Sequence, residues 1–378
     1  MVGMVEYKDK DRGNKMSNND EKRKPIRIAQ MMTEMNYGGV EMVVMNYYRH
    51  MDRRKVQFDF FVLEGSEIPQ REEIEKLGGR IYVVPHYKQV IQYEKTLINL
   101  FKQNKYKIVH SHMNTLSVFS LRAAKKAGVP NRIAHNHSTA GKGEYKKNLV
   151  KYFLRPFSKV YPTNLAACSE AAGNWLFGKN EQFTVFENGI EIENYKFNEI
   201  KRNKIRRNLG IDDKKVIGHV GRLCYQKNQS FLLNIMKKLA ENHDEYVLIL
   251  IGDGEDKNWL LEQSRRFGIE DKVIFIGNVS DAFNYYSAMD VFVFPSRYEG
   301  LGIACVEAQV NGLPCIVSDN IPIQAIVSDN VKMLELNLDK WKKTIIESSR
   351  TTFNKLDVDV FDIDKNAKRL EHFYLGMI

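Results

Sequence analysis

Short apolar runs alternate along this chain with longer stretches whose apolar positions return at helical spacing. The short runs predict buried strands, and the longer stretches predict amphipathic helices between them. In the first half the strand candidates are residues 26–32, 58–63, 81–84, 108–110, 132–134, 165–167 and 184–186. Residues 115–126 carry a helical pattern, stopped at Gly128-Val129-Pro130. A polar link over 191–213, with the basic cluster Lys201, Arg202, Lys204, Arg206 and Arg207, interrupts the alternation. It then resumes with candidates 216–220, 247–251, 273–276, 291–294 and 315–317. Alternation of this kind predicts an α/β fold of two Rossmann-like domains, 25–195 and 196–360, facing each other across a cleft. An amphipathic terminal helix follows within 361–378. Residues 1–24 form a polar, charged leader with little to bury, expected to be disordered, with Met16 as an alternative start.

The stretch 290–322 carries the densest information. An apolar run ends at Pro295, and a loop with an exposed Glu299 and the small pair Gly300 and Gly302 follows. An apolar helical segment over 303–310 comes next, with Glu307 in its interior, and Asn311-Gly312 ends it as a glycine cap does. Strand, glycine loop and helix together make a phosphate-binding arrangement. The free N–H groups around Leu301, Gly302 and Ile303 point into the loop, and the helix dipole favours an anion there. Glu307 is too far along the helix to be its cap, and a carboxylate there can accept two hydrogen bonds from a vicinal diol such as a ribose.

Composition narrows the partners. The chain has 378 residues and a net charge of +10, which suits an anionic ligand or surface. No apolar run is long enough to cross a membrane as a helix. Cys168, Cys224, Cys305 and Cys315 show no metal or redox spacing, which predicts reduced thiols and a cytoplasmic protein.

Other constellations carry chemistry with competing bland readings. Arg222 and Lys227 follow the first strand of the second half, where two cations can clamp a diphosphate or simply line a solvated loop. Gly38-Gly39 follows the first strand of the chain and permits close backbone approach to a phosphate or sugar, or marks a plain turn. His110-Ser-His112 and His135-Asn-His137 end adjacent strands. Four imidazoles suit zinc, but no cysteine or carboxylate completes the set at a typical spacing, so no metal is expected. Residues 141–160 carry six cations against Glu144, with Leu149, Val150, Phe153, Leu154 and Phe157 at helical spacing. That pattern suits either an anionic membrane surface or a helix packed on its own domain. Asp357-Val-Asp359 and Asp362-Ile-Asp364 precede the terminal helix, and helix capping explains them better than a metal.

Taken together these segments resemble the retaining glycosyltransferases of family 4, which have the GT-B fold. Glu299-Gly-Leu-Gly-Ile-Ala-Cys-Val-Glu307 resembles the family's Glu-x7-Glu signature, and Gly221-Arg222 through Lys227-Asn228 its Gly-Arg…Lys-Asn segment. Gly252-Asp-Gly254 resembles its glycine turn, Glu187-Asn-Gly-Ile190 its inter-domain segment, and Met35-Asn-Tyr-Gly-Gly-Val-Glu41 its N-terminal glycine loop. The resemblance implies transfer of a sugar from a nucleotide-diphosphate donor, UDP-linked by preference, to a hydroxyl acceptor, without a metal or other cofactor. It implies that Glu307 holds the ribose, that Glu299 and the N–H groups near Gly302 bind sugar hydroxyls and the β-phosphate, and that Arg222 and Lys227 neutralise the leaving diphosphate. It places Gly38 and Gly39 over that diphosphate, His137 (or His135, if the strand is shorter) at the donor sugar, and the terminal helix back across the first domain. Within the family the pattern is most similar to capsule and exopolysaccharide enzymes acting on polyprenyl-diphosphate-linked saccharides at the inner membrane face. One departure is that Ile323 and Gln324 follow Ile321-Pro322 where relatives often carry a glutamate.

Two other classes fit less well. A nicotinamide-dependent dehydrogenase needs Gly-x-Gly-x-x-Gly after its first strand, and Gly252-Asp-Gly254 lacks the third glycine. A nucleic-acid-binding protein would carry a known module, and none is present, so no nucleic-acid partner is expected.

Overall fold

The computed structural model describes residues 24–35, 39–138, 151–279, 281–350 and 356–378. Gly38, the leader before Lys24 and residues 139–150 of the basic segment lie outside the described residues.

Among the described residues, two parallel sheets organise the chain. The first has seven strands, β1 (Ile26–Met31), β2 (Val56–Leu63), β3 (Arg80–Val84), β4 (Ile108–Ser111), β5 (Asn131–Asn136), β6 (Asn164–Ala167) and β7 (Thr184–Val185), in the order β3-β2-β1-β4-β5-β6-β7. The second has six, β8 (Lys215–Val220), β9 (Tyr246–Ile251), β10 (Val273–Gly277), β11 (Val291–Phe294), β12 (Cys315–Ser318) and β13 (Val331–Leu334), in the order β10-β9-β8-β11-β12-β13. Helices cover both faces, so the central strands are buried end to end, as β2 and β9 show. The one acid inside β2, Asp59, is tolerated because Arg27 grips it through two nitrogens and Tyr106 donates to it at 2.6 Å.

In each sheet the strand order reverses once, between β1 and β4 in the first and between β8 and β11 in the second. At such a switch point the flanking loops diverge and leave a crevice at the carboxyl ends of the strands. The chain crosses between the sheets twice, and the two crossings pair with each other. Ile190 donates to the Phe361 carbonyl at 2.8 Å, and Ile363 donates to the Ile190 carbonyl at 3.4 Å. A β-carbon on Gly189 would sit 2.6 Å from Ile363 Cδ1 and 2.9 Å from its Cα, so this close crossing requires glycine.

The second crossing leads into the helix Ile363–Leu375, capped by Asp362, whose carboxylate accepts from Asp364 N and Lys365 N. Its residues Ile363, Ala367, Leu370 and Tyr374 enter the first core beside Val43, Val44, Tyr47 and Phe58. The terminal helix therefore packs on the first sheet. One strand was missed from the sequence, β13, because this edge strand is only partly buried and carries Lys332, so no continuous apolar run marks it.

Candidate active site

The second half gathers its chemistry at the switch point. The loop after β8 holds Arg222 and Lys227, the loop after β11 holds Glu299 to Gly302, and the turn after β9 packs beside them. A β-carbon on Gly252 would lie 2.3 Å from the Gly221 carbonyl oxygen, and one on Gly254 would lie 2.3 Å from that of Leu223. The glycines of this turn thus serve backbone-to-backbone packing that presents Arg222. Buried Gln229 ties the same loop down, accepting from Cys224 N and donating to the Arg222 carbonyl at 2.9 Å.

Each of the two cations already has an acid. Lys227 Nζ lies 2.7 Å from Glu299 Oε1 and 4.7 Å from the centre of the Phe294 ring. Glu299 was expected to be exposed, but its side chain is only 6 % accessible. The loop folds inward because Gln226 donates to Glu299 Oε2 at 3.2 Å and Lys227 supplies the counter-charge. Arg222 remains mostly exposed and pairs with Glu255 at 2.9 Å.

The helix Ile303–Val310 begins after Gly302, whose φ of +88° favours glycine, and no side chain caps it. Leu301 is buried in the second core, so it presents only backbone here. One turn into this helix the Glu307 carboxylate accepts at both oxygens, from Tyr195 OH at 2.9 Å and Tyr286 OH at 2.5 Å. Burial pushes its pKa above the ordinary carboxylate value, and the two phenols oppose that shift. Two phenols leave a carboxylate further acceptor capacity. Neither tyrosine was singled out from the sequence, and no local signal marks them: Tyr195 follows the first crossing, far along the chain from the helix it supports.

The halves touch at this loop. A β-carbon on Gly300 would sit 2.5 Å from the His137 carbonyl oxygen, and Ser169 Oγ donates to the Gly300 carbonyl at 2.9 Å. On the first-half side β5 ends at Asn136, which leaves His137 as the residue after the strand and His135 inside it. All four histidines come together, with ring nitrogens of His110, His112 and His135 within 4.8 Å of one another. Gly39 opens the helix Gly39–His50, and Glu41 in its first turn has its pKa pushed to about 7, mainly by burial, then by Glu34, with Arg222 opposing.

Two Rossmann-like domains meeting at their switch points define the class, the GT-B architecture of glycosyltransferases. The chain belongs to the glycosyltransferases of group 1 and family 4. Residues 37–194 match the model described as Glycosyltransferase Family 4, and residues 201–343 match Glycosyl transferases group 1. EpsF of Bacillus subtilis (strain 168), named as a glycosyltransferase, is 37% identical over 305 residues, 78% of this chain and 79% of that protein. The UDP-Gal:alpha-D-GlcNAc-diphosphoundecaprenol alpha-1,3-galactosyltransferase of Escherichia coli is 27% identical over 381 residues, 93% of this chain and 97% of that protein. Among solved structures, Anabaena Alr3699/HepE in complex with UDP and glucose superposes with a TM-score of 0.79 at 19% identity, over 93% of this chain and all of that one. The enzyme is a glycosyltransferase, and the dehydrogenase and nucleic-acid alternatives fall away. No helix among the described residues is long and apolar enough to cross a membrane.

Proposed function

We propose that the enzyme transfers a sugar, with retention, from a UDP-sugar to a hydroxyl of a polyprenyl-diphosphate-linked saccharide in capsule or exopolysaccharide assembly. The observation that carries this reading is the Glu307 carboxylate, held by two phenols one turn into the uncapped helix, beside a loop bearing two cations. The carboxylate accepts the ribose diol. The N–H groups of Gly300, Leu301, Gly302 and Ile303 face the diphosphate, and the start of the helix at Gly39 meets it from the first half. Arg222 and Lys227 exchange their carboxylate partners for phosphate and neutralise charge as UDP departs. In this reading they supply the charge that a divalent ion would bring, so turnover persists in EDTA.

Lys227 leaves Glu299 as it turns to phosphate, and Glu299 then accepts from donor-sugar hydroxyls while His137 meets the sugar from the first half. Attack comes from the face that UDP leaves, and the acceptor proton passes to the departing phosphate oxygen. The UDP complex of the HepE neighbour and the donor and acceptor in the name of the Escherichia coli relative support the choice of substrates.

For the acceptor, the surface around residues 151–160 supports docking on an anionic bilayer. Phe153 is 74 % exposed and Tyr152, Phe157 and Val160 lie open beside Lys151, Arg155 and Lys159. Membrane association is then peripheral, on the cytoplasmic face.

A thermal-shift panel of UDP, GDP, ADP and NAD on wild type and Glu307→Ala tests the donor. Stabilisation by UDP alone, lost in the variant, is expected; stabilisation by NAD alone would sink the reading. Flotation with phosphatidylglycerol vesicles tests the surface, and equal binding by wild type and Phe153→Ser/Arg155→Ser would discard it.

A further inference from the structure

The four histidines belong to one longer chain of side chains. His135 Nδ1 lies 3.0 Å from His110 Nε2, and His110 Nδ1 lies 2.6 Å from Tyr374 OH. Gln30 Nε2 donates to Tyr374 OH at 3.2 Å, while Gln30 Oε1 lies 2.9 Å from His112 Nε2. His112 Nδ1 in turn lies 2.8 Å from His137 Nε2. The two remaining ring nitrogens, His135 Nε2 and His137 Nδ1, are buried and have no partner among the described residues. Their rings stack at 4.1 Å, beside a cavity of about 10 Å³ that these side chains line. Such a volume admits one small polar group.

Proton bookkeeping leaves this chain little freedom. Burial, reinforced by the neighbouring rings, keeps His110, His112 and His135 far below the ordinary histidine value, and burial alone brings His137 to about 3. Each ring is therefore neutral, with one N–H and one acceptor nitrogen. Gln30 donates to Tyr374, so the buried phenol must give its proton to His110 Nδ1. His110 Nε2–H then donates to His135 Nδ1, leaving His135 Nε2–H as a free donor. On the other arm Gln30 Oε1 accepts from His112 Nε2–H, and His112 Nδ1 accepts from His137 Nε2–H, leaving His137 Nδ1 as a free acceptor. All four rings share one tautomer. The only other consistent pattern turns the Gln30 amide over and reverses every bond, so His137 would become the donor.

We propose that Tyr374 and Gln30 are positioning residues that set the tautomer of His137 through this six-residue chain, and so decide whether its free nitrogen accepts or donates a hydrogen bond to a sugar hydroxyl. The contact with sugar rests on the role given to His137 above; the chain itself does not. Tyr374 lies on the helix that follows the second crossing, so a residue from the end of the chain controls a group at the cleft. Removing its hydroxyl strands His110 Nδ1, frees Gln30 to turn, and lets His137 take both tautomers.

Nitrogen-15 NMR of histidine-labelled protein at pH 7 reads this directly, because protonated and bare ring nitrogens resonate far apart. In wild type, all four rings are expected to be neutral with Nε2 protonated. In Tyr374→Phe, or in Gln30→Met if that variant folds poorly, His137 is expected to average between tautomers. UDP release from UDP-glucose is expected to slow about twofold, as the fraction of His137 in the competent tautomer falls, with the Kd for UDP unchanged, and Tyr374→Phe is expected to add no loss on a His137→Ala background. Mixed tautomers in wild type, or an unaltered His137 in both variants, overturn the chain. Tautomers that respond while His137→Ala keeps full activity overturn the sugar contact instead.

Discussion

Replacing Glu307 by glutamine changes one atom and tests the centre of the proposed site. In wild type the two carboxylate oxygens each accept one phenol proton, at 2.9 and 2.5 Å, and have capacity left for a ribose diol. The amide keeps one acceptor oxygen, neutral rather than charged, and turns an NH2 group toward the other ribose hydroxyl. A hydrogen bond to a charged acceptor contributes roughly 1.5–3 kcal/mol, and a neutral one about 1. Losing one and weakening the other costs about 2–4 kcal/mol, a rise in the Kd for UDP of roughly 30- to 1000-fold. Titration calorimetry measures it, and 2′-deoxy-UDP serves as the control, since the variant and the missing hydroxyl should not add.

The free enzyme should respond the other way. The folded pKa of Glu307 is raised, so its burial penalty is absent below the ordinary carboxylate range and complete above the raised value. Glu307→Gln should therefore melt no lower than wild type at pH 7, with the difference vanishing in acid. A Kd for UDP within threefold of wild type would refute the ribose assignment.

Three further outcomes follow from named contacts. Lys227→Met strands a buried Glu299 and should cost about 2–4 kcal/mol by urea unfolding; adding Glu299→Gln should restore stability but not turnover, and recovery of both would separate the pair from catalysis. Glu41 has a carboxyl pKa near 7 and ionises facing Arg222, so the Kd for UDP should rise about fivefold from pH 6 to pH 8 as that carboxylate competes for the guanidinium. Glu41→Gln should flatten this profile, and an unchanged slope would count against the assignment. Gly252→Ala places a β-carbon 2.3 Å from the Gly221 carbonyl oxygen at a φ of +127°, and should lose about 2–4 kcal/mol together with UDP affinity; a wild-type melt would contradict the packing role.

The local pattern of residues carried most of the strands, the helix Ile303–Val310 with its Asn311-Gly312 end, and the Asp362 cap. It also carried the family, because the glycines and charges of each switch-point loop fall within one short segment that is legible as a motif, although the contacts that require the glycines are tertiary. It did not carry β13, whose edge position leaves its side chains half in water. Nor did it show that Glu299 turns inward, since the charge that permits this sits on the loop of another strand. Which loops meet is decided by strand order, and strand order is settled by how whole faces pack rather than by any local spacing. That is why Tyr195 and Tyr286 on Glu307, and Tyr374 on His110, came only from the tertiary structure: each hydrogen bond joins residues far apart in the chain, and only the assembled sheets bring them within reach.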